Sequence, residues 1–115
     1  MDWREDFQRR ILSAEEAVKV IKPGSRVAFT QGIEPLAISL ELLAKRDEFK
    51  GVKLFIRAPG RDLPWFEPGW EEFFRIEVAH TLPICLQATA DKRCDYVVGD
   101  ILWRHYWDME ETDVL

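Results

Sequence analysis

Short strand-like runs alternate with helix-like segments along this chain. That alternation predicts an α/β domain on an open, largely parallel sheet with flanking helices. Three observations carry the expectation. Apolar, β-rich stretches recur at Arg26–Thr30, at "VKLFI" over Val52–Ile56, at Phe73–Ala79 and at "DYVV" from Asp95. Helically spaced apolar residues fill the intervals, most clearly the leucine-rich stretch after Pro35. With 47% hydrophobic and 32% charged residues in 115, the chain can bury one modest core and is not of a disordered composition.

Trp3, Phe7 and Ile11 fall at i, i+4 and i+8 and predict an amphipathic helix over Trp3–Leu12. Ser13 with Glu16 forms a capping-box pattern, opening a helix from Ala14 to Ile21 that buries Ala17, Val20 and Ile21. Pro23-Gly24 ends it, and Val27 and Phe29 share one face of the first strand. Pro35 suits the first turn of the next helix, whose apolar face is Leu36, Leu40, Leu42 and Leu43 and which runs to about Arg46. Gly51 precedes the second strand. Pro59–Gly69 is a loop with three prolines, and Phe73–Ala79 is a third strand, or a helix that becomes a strand. Pro83–Lys92 reads as a helix, Asp95–Val98 as a short strand and Asp100–Glu111 as a helix. Asp113-Val114-Leu115 then reads as the opening of another strand, so the chain is expected to form part of a longer fold.

The formal net charge of −5, without a lysine–arginine cluster, argues against a nucleic-acid surface. The apolar runs are far short of the roughly 20 residues that cross a bilayer. Met1-Asp2-Trp3-Arg4-Glu5-Asp6 is too charged to open a signal peptide, so a cytoplasmic location is expected. Cys85 and Cys94 are expected as reduced thiols. Neither they nor His80 and His105 have the close spacing of a metal site.

The candidate site is the strand-to-helix turn Gln31-Gly32-Ile33-Glu34-Pro35. In open parallel sheets, ligands sit beyond the carboxyl ends of the strands. Backbone N–H groups at the start of the following helix can hold an anion, and Gly32 lets it approach. Glu34 disfavours a phosphate directly above it. It suits a hydroxyl, an amide or an arginine, or alternatively caps the helix and complements its dipole. The loop "RDLPWFEPGWEEFF", residues 61–74, either covers core or forms a channel wall or interface. In "ILWRHYWDMEE", residues 101–111, Trp103 and Trp107 are an i, i+4 pair suited to core or interface, and His105 has no Ser or Cys beside it in sequence.

The stretch "ILSAEEAVKVIKPGSRVAFTQGIEPLAISLELLAKRDEFKGVKLF" resembles the N-terminal region of the acetyl-CoA hydrolase / CoA-transferase family, which includes the 4-hydroxybutyrate CoA-transferases. Ser13 to Ala17, Lys22 to Val27, Gly32 to Pro35 and the leucine-rich helix ending at Lys45-Arg46 carry the likeness, with "ADKRCDYVVGDI" downstream. It covers nearly the whole chain, with the tryptophan-rich middle more divergent. The resemblance implies that residues 1–115 are the N-terminal part of a CoA-transferase-like α/β domain, an incomplete first domain. It implies acyl transfer between a CoA thioester and a small carboxylate, or thioester hydrolysis. The family's glutamate nucleophile belongs to a second domain, so no catalytic residue is expected in this chain, and Glu34 is not that glutamate. Coenzyme A thioester would be substrate of the complete enzyme, not a tightly bound cofactor. The implied partners are acyl-CoA, a carboxylate and a second CoA-transferase domain or subunit; homo-oligomerisation stays open. The alternatives are a non-catalytic or regulatory CoA- or carboxylate-binding domain of the same fold, and a nucleotide-binding module, which the missing G-x-G-x-x-G disfavours. In the leading reading the Gln31–Pro35 turn faces the cleft where the second domain docks, with Glu34 at least partly exposed.

Overall fold

The computed structural model describes residues 2–29, 33–97 and 112–115. Thr30, Gln31 and Gly32, and the helix expected over Asp100–Glu111 with Trp103, His105 and Trp107, lie outside the described residues.

Helix α1 spans Trp3–Arg10, its first turn capped by the Asp2 carboxylate, which accepts from the Arg4 N–H at 3.1 Å. Helix α2, Ala14–Ala17, opens on the capping box: Ser13 Oγ accepts from the Glu16 N–H, and the Glu16 carboxylate accepts from the Ser13 N–H at 3.0 Å. These bonds from the Ser13 backbone and hydroxyl hold the Glu16 carboxyl below its usual value. The chain then tightens into a 3₁₀ turn, Val18–Val20. Three residues per turn instead of 3.6 turn Val18 and Ile21 into the core and leave Val20 58% exposed, correcting the expected burial of Val20.

Strands β1 (Arg26–Phe29), β2 (Val52–Ile56), β3 (Phe74–Val78) and β4 (Cys94–Tyr96) form one sheet in the order β1-β2-β3-β4, with every pair parallel. Helix α3 (Leu36–Ala44) connects β1 to β2, and α4 (Pro83–Ala90) connects β3 to β4. The strand expected at the last residues is present as a single parallel bridge between Val114 and Val27, on the outer edge of β1. Ala28 N–H donates to Val114 O at 2.9 Å, and the Asp113 carboxylate accepts from Arg26 N–H at 2.7 Å.

Alternation along the strands decides the layers. Val27, Phe29, Leu54, Ile56, Ile76 and Val78 point to one face and form the core with α3, α4 and the 3₁₀ turns. Arg26, Lys53, Arg75 and Glu77 point to the other. There Arg26 and Glu77 pair at 3.2 Å across β2, and Arg75 forks onto Asp95 while donating to Lys92 O at 3.1 Å. The Asp95 carboxylate raises the Arg75 guanidinium's already high pKa.

Helix α3 turns two of its four expected leucines inward, Leu42 and Leu43, and leaves the other two out. Ser39 and Leu42 are buried, with Ile38 and Leu43 packed against the core, while Leu36 and Leu40 stay exposed. In place of a helix, the β2–β3 connection carries 3₁₀ turns at Pro64–Phe66 and Trp70–Glu72. Leu63, Trp65 and Phe66 are buried there, so this loop covers core. Trp65 packs against Phe29 and edge-on to Phe74 at centroid distances of 6.4 Å. Arg93 donates to Phe66 O at 2.7 Å and fastens the loop to the turn after α4.

Cys85 and Cys94 are buried free thiols. Burial raises both pKa values, Cys94 to about 11 from an ordinary 9.0. A thiol whose folded pKa is raised contributes stability below its unfolded pKa and loses that contribution as pH climbs through the folded value. The urea midpoint is therefore expected to fall between pH 9 and about 11, and Cys94→Ala to flatten that fall. Thiol titration at pH 8 should be slow in the native state and count two groups in urea. Leu42→Ala should cost about 2–4 kcal/mol and Leu40→Ala less than about 0.5 by urea unfolding, reversing the inward face inferred from the leucine spacing if the order is otherwise.

Candidate functional site

The sheet register lines up the carboxyl ends of all four strands: Phe29 pairs with Ile56, Ile56 with Val78, and Val78 with Tyr96. Three loops leave along that edge: the turn through Ile33-Glu34-Pro35, the segment Arg57-Ala58-Pro59-Gly60-Arg61, and Ala79-His80-Thr81-Leu82 before α4. The candidate turn therefore stands at the end of the sheet where parallel folds bind ligands. Of its five residues, Gln31 and Gly32 lie outside the described residues; Ile33 and Pro35 are exposed, and Glu34 is not.

Glu34 is 1% exposed, overturning the expected partial exposure of its carboxylate. Its Oε2 accepts from the Gly60 N–H at 3.0 Å. Its backbone carbonyl accepts from Arg61 Nε at 2.8 Å. Both bonds tie the β1–α3 turn to the loop leaving β2. Gly60 permits this approach: a Cβ there would stand 3.1 Å from Ile33 Cγ1. Glu34 Oε1 is also buried and accepts no hydrogen bond. Its charge adds to burial in raising the nearby Cys85 thiol's pKa. Pro35 is the N-cap of α3 rather than a first-turn residue, and no side chain among the described residues caps this helix. The Glu34 side chain thus neither caps α3 nor faces solvent. It is a fastener between two loops.

Polar residues on the loops leaving this edge include Arg57, which the sequence does not single out, Arg61 of the aromatic loop, and His80, which the sequence offers only as a metal ligand. Arg57 follows β2 directly and is partly exposed, although its Nε is buried without a hydrogen-bond partner. Arg61 is partly exposed, oriented by the Glu34 carbonyl. His80 is exposed at the end of β3, and its N–H and that of Ala79 both donate to Arg57 O, at 3.0 and 3.1 Å. A signal was present in sequence: an arginine or histidine stands within two residues of the end of two of the four apolar runs, in "VKLFIR" and "FRIEVAH". Two guanidinium groups and an imidazole on the loops leaving this edge are of the chemistry that donates to a carboxylate or phosphate. Among the described residues, no group of three or more His, Cys, Asp or Glu could hold a metal ion. No helix among them is long and apolar enough to cross a membrane.

No protein-family model matches the chain, and no curated protein matches it. Solved structures do. RipA from Yersinia pestis superposes over 99% of this chain with a TM-score of 0.74 at 16% identity. A point variant of RipA gives 0.77 over the same share. A 4-hydroxybutyrate CoA-transferase from Porphyromonas gingivalis matches 71% of this chain at 26% identity, with a TM-score of 0.56. The chain spans 29% of the RipA chain and 21% of the transferase chain. Its four-stranded, all-parallel sheet with flanking helices is a CoA-transferase-like α/β fold.

Proposed function

We propose that this chain is the substrate-side portion of an acyl-CoA:carboxylate CoA-transferase or acyl-CoA hydrolase, inactive without a second CoA-transferase domain or subunit that carries the glutamate nucleophile. The observation that carries the reading is the 26% identity to a 4-hydroxybutyrate CoA-transferase over 71% of the chain. The polar residues at the carboxyl edge of the sheet are consistent with it. Acyl-CoA and a small carboxylate are both anionic, and Arg57, Arg61 and His80 supply donors at the carboxyl edge of the sheet. Ile33 and Pro35 are exposed in the turn after β1, with Gln31 and Gly32 preceding them in sequence. Coenzyme A thioester enters as substrate, in a cytoplasmic setting.

Glu34 has a different part in this reading from attack on a thioester. A nucleophile must reach the acyl carbon, and a side chain 1% exposed and bonded to Gly60 does not. Covalent catalysis through a carboxylate divides acyl transfer into two easier displacements. That carboxylate comes from the partner, while Glu34 positions the loop that presents Arg57 and Arg61. The alternative, a non-catalytic CoA- or carboxylate-binding domain, shares the crevice and differs only in lacking such a partner.

Purified chain given acetyl-, butyryl- or 4-hydroxybutyryl-CoA with acetate is expected to show no turnover. Turnover that survives repurification would overturn the division of labour. Millimolar CoA should perturb the NMR resonances of Arg57, Arg61 and His80, and Arg61→Ala should weaken binding about tenfold. Unperturbed resonances would remove both the transferase reading and the regulatory one. Glu34→Ala leaves the Gly60 N–H without its acceptor and should cost about 1–3 kcal/mol by urea unfolding, whereas Glu34→Gln keeps an acceptor and should cost less.

A further inference from the structure

We draw no further inference here: the strongest candidate, the apolar groove beside β1 together with the exposed Trp3–Phe7–Ile11 stripe at the N-terminal helix, carries none, because nothing in the structure shows what covers either surface.

Discussion

Because every strand in the sheet is parallel to its neighbours, every strand leaves by the same edge. That constraint organises the molecule. A parallel pair cannot be joined by a tight turn, so each strand must be followed by a connection that crosses back over the sheet. Here α3, the aromatic loop and α4 make the three returns, all packed on the Val27–Leu54–Ile76 face. The loops that start those returns therefore meet along one line, above Phe29, Ile56 and Val78. Arg57, Arg61 and His80 become neighbours of the β1–α3 turn for this reason, although up to about fifty positions of sequence separate them.

The middle return departs from a regular α/β plan. Between β2 and β3 the chain uses Trp65 and Phe66, not a helix, to cover the core. Large rings bury much area for few residues, which lets a loop do the work of a helix face. The loop is braced from outside by Arg93 on Phe66 O and by the Arg46 guanidinium, 4.8 Å from the Trp70 ring. The Glu34 bond to Gly60 then holds the start of the same loop against the β1–α3 turn. Covering the core and bracing the β1–α3 turn are thus tasks of one segment, residues 57–73.

The fold class, the strands and the Ser13–Glu16 capping box were legible in the sequence because each rests on local patterns: alternation, helical spacing and cap chemistry. Three details were not. Val20 and Val18 exchanged places because a 3₁₀ turn replaced the end of a helix, and periodicity does not announce a change of pitch. Leu36 and Leu40 point away from the core because the arc of Ile38, Ser39, Leu42 and Leu43 is the one the packed sheet accepts, and only the packing chooses between arcs. Glu34 was read as a cleft residue because a carboxylate before a helix is usually solvated or capping. Its true partner, the Gly60 N–H, is 26 residues away and donates from the backbone, which no side-chain motif records.

A buried carboxylate with one oxygen satisfied and the other unpaired is costly by itself. The cost makes sense for what Glu34 secures. An arginine at the mouth of a crevice has several rotatable bonds and gains little from an anion unless its direction is fixed beforehand. Arg61 is fixed by the Glu34 carbonyl, and its loop by the Glu34 side chain. One residue therefore holds both the loop after β2, through its side chain, and the Arg61 guanidinium, through its backbone carbonyl, and it does so with its own carboxylate buried.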